Sequence, residues 1–255
     1  MYIKNKLLTF AIAYSFSFIF GCTVTSGWTL IAGDGTQNWG ATHEQVHNLR
    51  VSGTTLYAAV GSGGNNQTGD NELWTCPVST CTITGWTKIG GDGTGFNTTH
   101  SAVGFVNVIG STVYAGLSHI GNSVSAEVWK YESSMWSRIG GNAINRSWGF
   151  YGLQSVESMT VHGDKLYVGT GQTTAGNALV YEYNGSAWTL IGGQGVNSSW
   201  TANTFEVVQS MTSYNNNLVV GLGSGTGDAF VYSYNGSTWS VIGGSGSGVS
   251  GHRLS

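Results

Sequence analysis

Charged residues are scarce in this sequence, since Asp, Glu, Lys and Arg make up only 8% of its 255 residues, where about a quarter is usual for a soluble domain. Lys and Arg number nine and form no cluster, which argues against a nucleic-acid partner, because phosphate binding draws on grouped basic side chains. There is one proline and there are three cysteines. The longest apolar stretch, residues 7–20, is shorter than the ~20 residues of a membrane span.

Glycine and aromatic residues are abundant instead, with 41 Gly, 10 Trp and 12 Tyr. The glycines do not recur at every third position, which excludes a collagen helix, and 40% hydrophobic residues suffice for a core. Gly, Asn, Ser, Thr and Val are poor helix formers, whereas Val, Thr and the aromatics favour strands. The composition therefore predicts an all-β chain.

Residues 1–21 have the features of an export signal, with Lys4 and Lys6 before the apolar stretch. The sequence Ile19-Phe20-Gly21-Cys22 at the end of this stretch resembles the lipobox of bacterial lipoproteins. This resemblance implies acylation of Cys22 and a place in the bacterial cell envelope or at the cell surface, with membrane contact only through the lipid. Ordinary cleavage near Gly21, leaving a free thiol, is the alternative. The exported part, with seven basic and twelve acidic residues, carries a net charge of −5.

The two remaining cysteines, Cys76 and Cys81, bracket four residues, a spacing that a hairpin can close. Disulfides persist in oxidising compartments, so this pair agrees with export. A metal pair is the rival interpretation, but no second Cys or His pair stands at ligand spacing. We therefore predict a Cys76–Cys81 disulfide.

A phrase of the form Trp-Thr/Ser-x-Ile-Gly/Ala-Gly occurs five times, at steps of 58, 50, 52 and 51 residues. Its copies begin at Trp28, Trp86, Trp136, Trp188 and Trp239. Between them, a valine stands ten residues before a second apolar residue in every repeat. These pairs are Val46 and Leu56, Val103 and Val113, Val156 and Leu166, and Val208 and Leu218.

Each repeat is predicted to contain four short strands: a from about Val46, b from about Leu56, c ending at Cys76, and d from Trp86, with equivalents in the others. A four-stranded antiparallel unit of about 50 residues in tandem is typical of a β-propeller blade. The sequence thus predicts a β-propeller over residues 22–255 with four complete blades.

Partial blades are predicted at both ends, with a spare strand d at residues 28–31 and a spare loop at residues 245–255. One interpretation is a propeller of five or more blades that is truncated at its C-terminus. A four-bladed ring with a loose N-terminal strand is the alternative.

The segments Leu166-Tyr-Val-Gly169, Val180-Tyr-Glu-Tyr183 and Trp188 are similar to a kelch-type blade, in which a strand ending in Gly precedes a Tyr-bearing strand and a Trp opens the outer strand. The resemblance covers residues 28–244 and implies architecture rather than activity. Here the glycine doublet follows strand d, as at Gly192-Gly193, whereas in kelch blades it follows strand b.

The segment from each strand d to the next strand a, the d-to-a loop, carries an aromatic 10 to 12 residues after the repeat's Trp. These aromatics are Trp39, Phe96, Trp148 and Trp200. In a propeller the d-to-a loops emerge on one face, so the four rings are predicted to form a ligand-binding arc with Asn145 and Asn197. The arrangement is similar in logic to repeat-propeller lectins, in which rings stack on sugars. The alternative is that the rings wedge between adjacent blades.

The predicted function is therefore an exported, non-enzymatic module that binds a glycan or a surface protein. A glycan-active enzyme is the alternative, but its best carboxylate pair, Glu157 and Glu206, lies at different repeat offsets. A protein-interaction scaffold is a third possibility. No cofactor and no metal are expected, because His43 and His100 occupy a position that is Leu153 or Phe205 in later repeats.

Overall fold

A computed structural model describes residues 29–33, 39, 43–62, 71–91, 94–96, 100–118, 126–149, 153, 155–171, 176–200, 204–224 and 229–244. The chain divides into two units, Met1–Ile31 and Ala32–Ser255, and all strands of the described residues belong to the second. The predicted signal sequence, Cys22, Trp28 and the spare loop at residues 245–255 lie outside the described residues. Among the described residues, no helix has the length and apolar character needed to cross a membrane.

Repeats 1 and 2 each contain the four antiparallel strands that the sequence predicts, in the order a, b, c, d. Repeat 1 comprises β1 (Gln45–Ser52), β2 (Thr55–Gly61), β3 (Glu72–Pro77) and β4 (Thr87–Gly90), with a short 3-10 helix at Val78–Thr80. Repeat 2 comprises β5 (Ala102–Ile109), β6 (Thr112–Ser118), β7 (Glu127–Glu132) and β8 (Met135–Gly140), followed by a 3-10 turn at Ile144–Arg146.

Repeats 3 and 4 follow the same plan. Repeat 3 comprises β9 (Ser155–His162), β10 (Lys165–Gly171), β11 (Val180–Tyr183) and β12 (Trp188–Gly192). Repeat 4 comprises β13 (Val207–Tyr214), β14 (Asn217–Gly223), β15 (Phe230–Tyr234) and β16 (Trp239–Gly244). The prediction of an all-β, antiparallel chain is confirmed.

The c-to-d connections of repeats 3 and 4 are tight turns fixed by an asparagine side chain. Asn184 Oδ1 accepts hydrogen bonds from the backbone N–H of Ser186 and of Ala187, each over 3.0 Å. Gly185 adopts a φ of 96°, a left-handed conformation that glycine enters without steric cost. Asn235 and Gly236 repeat this arrangement.

Successive repeats are joined at their inner strands. The end of strand b pairs with the start of the next strand a through one residue pair each time, at Gly61 and Ala102, Ser118 and Ser155, and Gly171 and Val207. All sixteen strands therefore belong to one continuous sheet system. Among the described residues no strand of repeat 4 pairs with repeat 1, so the array is open and the predicted ring and blade count are not confirmed.

The spare strand d predicted at residues 28–31 is not formed by the residues that the structure describes. Thr29, Leu30 and Ile31 lie in no strand, and Trp28 is outside the described residues. The repeat phrase therefore does not suffice for a strand. In the four complete repeats, by contrast, strand d pairs with strand c of its own repeat.

The hydrophobic core lies between repeats rather than within them, in three clusters. Each cluster combines residues of two successive repeats and includes a buried valine of the second repeat's strand a: Val103, Val156 or Val208. We call the side of a repeat that contacts the preceding repeat its leading face, and the opposite side its trailing face. One leading face and one trailing face thus make each interface.

Candidate functional site

The predicted ligand-binding aromatics lie in the d-to-a loops, where three of the four rings are buried. Phe96, Trp148 and Trp200 expose 6%, 2% and 2% of their surface. Trp39 is half-buried. The structure therefore places these residues at equivalent points of successive repeats but covers most of their ring surface. Ligand binding by these rings stays a prediction.

Each ring packs edge to face against the Trp that opens strand d of the next repeat. The centroid distances are 5.6 Å for Trp39 and Trp86, 4.6 Å for Phe96 and Trp136, 5.4 Å for Trp148 and Trp188, and 5.5 Å for Trp200 and Trp239. The last three rings also contact the aromatic residue of the next strand c, namely Trp129, Tyr181 and Tyr232. Edge-to-face pairs contribute about 0.5–1.5 kcal/mol beyond burial, so these rings hold neighbouring repeats together.

A β-bulge in strand d frees a backbone carbonyl for the neighbouring repeat. The pairing of strands c and d skips one isoleucine in every repeat. The carbonyls of three of these residues accept a hydrogen bond from the indole N–H of the next repeat. These bonds are Trp136 to Ile89 at 2.6 Å, Trp188 to Ile139 at 2.7 Å and Trp239 to Ile191 at 2.8 Å.

The predicted site residues Asn145 and Asn197 take part in this same joint. Their Nδ2 groups donate to the carbonyls of Ile139 and Ile191, each over 3.1 Å. Both asparagines adopt left-handed backbone, with φ of 52° and 47°, a conformation that Asn tolerates better than most residues. Both side chains are exposed, and neither Oδ1 has a hydrogen-bond partner among the described residues.

A serine stabilises the same loop from inside. Ser147 Oγ accepts the backbone N–H of Gly141 over 2.8 Å, and Ser199 Oγ accepts that of Gly193 over 3.0 Å. The loops of repeats 2 and 3, residues 141–149 and 193–200, therefore share one hydrogen-bonded framework. That framework leaves polar side chains exposed at matched positions, namely Asn142, Asn145 and Arg146 in repeat 2 and Gln194, Asn197 and Ser198 in repeat 3.

Two buried carboxylates, which the sequence did not single out, lie at the start of strand c in repeats 1 and 2. Glu72 accepts hydrogen bonds from Lys88 and Trp74, each at 2.8 Å, and lies 3.0 Å from Nε2 of His43. Burial alone would raise the pKa of Glu72, but the hydrogen bonds from His43 and Lys88 together lower it below its ordinary value. Glu127 is held likewise, by Arg138 and by Trp129.

The contact with Glu72 accounts for His43, one of the two histidines that were considered as metal ligands. In repeat 4 the two equivalent positions hold Phe205 and Phe230, whose rings lie 5.3 Å apart edge to face. A histidine–carboxylate contact and an aromatic pair thus occupy the same place in different repeats, because both satisfy a buried contact between a d-to-a loop and strand c. A co-ordinated change at both positions is the sequence signal that could have revealed the contact.

Glu157, one of the two carboxylates considered for catalysis from the sequence, lies at a bulge in β9. Burial raises the pKa of Glu157 above its ordinary value, against a hydrogen bond from Ser155. Within the described residues, no group of three His, Cys, Asp or Glu side chains is placed to hold a metal ion.

The predicted disulfide is confirmed. Cys76 and Cys81 are bonded, and their Cα atoms lie 5.4 Å apart. The bridge spans the 3-10 helix Val78–Thr80 in the c-to-d connection of repeat 1, the connection that is longer than its counterparts. Cys76 is buried, so the bridge fixes this longer connection to the end of β3.

No protein-family model and no curated protein sequence matches this chain. Solved structures do resemble it. A protein of unknown function from Dyadobacter fermentans has a TM-score of 0.50 at 11% identity, with 73% of this chain and 64% of that chain covered.

The N-terminal domain of Nup159 has a TM-score of 0.41 at 8% identity, with 77% and 47% of the two chains covered. The Aleuria aurantia lectin in complex with Fucalpha1-6GlcNAc has a TM-score of 0.42 at 9% identity, with 74% and 59% covered. The chain thus spans about half to two thirds of the length of these structures. At such identities the likeness concerns the fold alone.

Proposed function

We propose that this chain is an exported, non-enzymatic binding module that recognises hydroxyl-rich ligands, glycans above all, through its d-to-a loops. The observation that carries the proposal is the shared framework of the loops at residues 141–149 and 193–200. It fixes the backbone and presents amide, guanidinium and hydroxyl groups at matched positions. Such groups exchange hydrogen bonds with sugar hydroxyls, and repeated weak sites bind a repeating ligand by avidity.

The aromatic rings act in this proposal as supports rather than as stacking surfaces. Trp148 and Trp200 are the buried residues of the loops that carry the exposed polar groups, and each packs against the next repeat. A rigid loop loses little conformational freedom when it binds, which favours affinity. Asn145 and Asn197 are exposed residues, and their Oδ1 atoms then serve as acceptors for ligand hydroxyls.

We further propose that the four repeats are consecutive blades of a β-propeller. Supporting this, the strands a of successive repeats contact each other, and each strand b contacts the next strand a. These contacts agree with a blade in which strand a is innermost and strand d outermost. The d-to-a loops of such blades all lie on one face, where they act together on one ligand.

A binding role is favoured over catalysis by the state of the buried carboxylates. Glu72 and Glu127 are each held by a cation and an indole N–H, so their oxygens are already occupied by donors of this chain. Glycoside hydrolysis uses two carboxyl groups across one bond, one of them protonated. Turnover of a glycoside that Glu157→Gln abolishes would reverse this assignment.

Export is supported by the Cys76–Cys81 disulfide, since such bonds persist in oxidising compartments. Cleavage after Gly21 and acylation of Cys22 remain part of the proposal. Mass spectrometry of the mature N-terminus tests them. A lipid-modified Cys22 supports the lipoprotein form, and an unmodified residue at or after Cys22 contradicts it.

The binding proposal is tested with the purified chain on a glycan array, followed by titration calorimetry with the best saccharide. Gln194→Ala removes an exposed loop amide, and Arg146→Asn removes a guanidinium while keeping a residue type that tolerates left-handed backbone. We expect each variant to weaken binding and the double variant to abolish it, with unchanged melting temperature. Thr189→Ala, at an exposed position of β12 in repeat 3, is the matched control.

Trp200→Ala separates the two roles of the rings. A supporting ring predicts a loss of about 3–5 kcal/mol in the free energy of unfolding, with binding weakened only as far as the loop loosens. Binding that survives Gln194→Ala with Arg146→Asn, but disappears in a folded Trp200→Ala protein, would instead indicate direct stacking.

A further inference from the structure

The open array leaves two apolar faces uncovered, one at each end. On the leading face of repeat 1, Val46 and Leu49 are 45% and 59% exposed, whereas their equivalents Val103 and Val106 in repeat 2 are 0% and 1% exposed. The difference arises because repeat 1 covers the leading face of repeat 2, and no described strand precedes repeat 1.

The trailing face of repeat 4 shows the matching exposure. Val231 and Ile242 are 36% and 53% exposed, whereas Val180 and Ile191 at the same positions of repeat 3 are 0% and 3% exposed. In the interior, these positions are covered by the leading face of the following repeat. Since leading and trailing faces make all three internal interfaces, the two end faces carry complementary halves of a fourth.

Glycine positions at the end of strand b show the same difference between the internal repeats and repeat 4. A Cβ at Gly61 or Gly171 would come within 2.4 Å or 2.5 Å of Ala102 or Val207 in the following repeat, so at these two joints the inner strands meet only with glycine, whereas the joint between repeats 2 and 3 accommodates Ser118. Gly223 is the equivalent in repeat 4, yet its Cβ would lie 3.5 Å from Gln209, an ordinary contact. Within the described residues, nothing in the single chain requires glycine there.

The aromatic joints are also unbalanced in a complementary way. Repeat 4 has no aromatic residue at positions 249–251, the offsets at which the other d-to-a loops carry their ring. Trp39, by contrast, precedes the first complete repeat in the chain and packs on Trp86 of repeat 1. The N-terminal end of the array thus carries an additional aromatic ring, and the loop at its C-terminal end lacks the corresponding one.

Trp39 carries in addition a buried indole N–H that has no hydrogen-bond partner in the described part of the chain. Its equivalent Trp148 donates over 2.6 Å to the carbonyl of Ala126, directly before strand c of repeat 2. Ala229 holds that position before strand c of repeat 4. A buried donor without a partner costs free energy, and a Trp39 ring that turns outward on association can donate to the carbonyl of Ala229 in another copy, the equivalent acceptor.

We infer that the trailing face of repeat 4 in one copy binds the leading face of repeat 1 in a second copy, head to tail, with Gly223 against the start of β1 and Trp39 beside Ala229. The interface repeats the geometry already present three times within the chain. Because it is heterologous, it either closes into a ring of copies or extends as a filament. This inference does not depend on what the d-to-a loops bind.

Sedimentation velocity of the purified chain over a range of concentrations tests the inference, with the expectation of species larger than one copy. Gly223→Val should weaken association at least about tenfold, as expected for a change at an interface centre, while leaving the melting temperature unchanged. Leu49→Asp should do the same from the other face. Trp39→Phe, which removes the N–H and keeps a ring, should also weaken association.

Mixing the two blocked variants gives the sharpest result. The Gly223→Val chain keeps an intact leading face and the Leu49→Asp chain keeps an intact trailing face. Each variant alone should therefore be monomeric, whereas an equimolar mixture should form a one-to-one dimer and stop there.

Two further variants act as controls. Gly171→Val places the same side chain at an internal interface and should lower the melting temperature, because its Cβ would collide with Val207. Val78→Asp changes an exposed apolar residue of the c-to-d connection and should leave association intact.

Three outcomes would overturn the inference. The first is a monomer at all concentrations, which would leave the faces to other repeats or to another protein. The second is association that survives both Gly223→Val and Leu49→Asp. The third is a mixture of the two folded variants that stays monomeric, since head-to-tail pairing requires it to dimerise.

Discussion

Asn145 and Trp188 donate hydrogen bonds to the same oxygen atom, the carbonyl of Ile139, over 3.1 Å and 2.7 Å. One donor belongs to the d-to-a loop of repeat 2 and the other to strand d of repeat 3. Asn197 and Trp239 share the carbonyl of Ile191 in the same way. A single bulged residue therefore fixes both the shape of a surface loop and its attachment to the next repeat.

Replacing Trp188 by Phe should destabilise the protein. The variant keeps an aromatic ring but removes the indole N–H and part of the buried surface, so we expect a loss of about 1–3 kcal/mol in the free energy of unfolding. Urea denaturation measures it. Tyr214→Phe, which removes a hydroxyl from a residue that is 65% exposed, is the control and should have little effect. Equal stability of the two variants would contradict the shared-carbonyl joint.

Substitutions at Asn197 should separate its two contributions. Asn197→Gly keeps access to left-handed backbone but loses the hydrogen bond to Ile191, at a cost of about 0.5–1.5 kcal/mol. Asn197→Ala loses the hydrogen bond and also strains the backbone at a φ of 47°, which should cost about 1 kcal/mol more. Denaturant unfolding of both variants reports the difference. An alanine variant as stable as the glycine variant would show that the backbone conformation carries no cost.

Glu72 should make the protein sensitive to acid. The pKa of Glu72 is lower in the folded chain than its ordinary value, so the ionised group stabilises the fold at pH values above that ordinary pKa. This contribution is lost as the pH falls through the pKa of the folded chain. Glu72→Gln should therefore melt at a lower temperature than the natural chain at pH 7. The gap should close as the pH falls.

The control for Glu72 is Glu132→Gln. A hydrogen bond from Lys130 lowers the pKa of Glu132 too, but this carboxylate is on the surface and is screened by solvent. We expect a much smaller change in melting temperature at pH 7. An effect as large as that of Glu72→Gln would show that burial of the Glu72 ion pair is not what matters.

Glu157 should behave in the opposite sense. Burial raises the pKa of Glu157 in the folded chain, so the fold favours the protonated carboxyl and loses that contribution as the pH rises through the raised pKa. At pH 7 the ionised group opposes folding, and Glu157→Gln should raise the melting temperature. In acid, where the natural chain is protonated, the two proteins should melt alike. Destabilisation at pH 7 would indicate a partner for the carboxylate.

The strands could be predicted because their signals are local. Alternating apolar residues, a fixed ten-residue spacing such as that between Val156 and Leu166, and the Asn184-Gly185 turn act within one repeat. The disulfide could be predicted for the same reason, since Cys76 and Cys81 are close in the chain. Period and spacing therefore determined element type and order.

Burial of the loop aromatics depended on residues that are far away in the chain. Trp148 is covered by Tyr181 and Trp188, more than thirty residues later, and the sequence pattern does not state which side of a strand the next repeat covers. The bulge at Ile139 was equally invisible, because it changes pairing without changing apolar spacing. The extra strand expected at residues 28–31 is not formed at residues 29–31, although its phrase matches those of the other repeats, so the phrase alone does not determine a strand.

The bulged isoleucine also bears on how such a chain can change in length. Every internal repeat accepts an indole hydrogen bond on one side through its isoleucine and donates one on the other through its Trp. Duplication of one whole repeat therefore adds one acceptor and one donor and leaves every existing pair in place. Gain or loss of a complete repeat consequently preserves this pattern of hydrogen bonds, whereas an insertion inside strand d disturbs the joints to both neighbouring repeats.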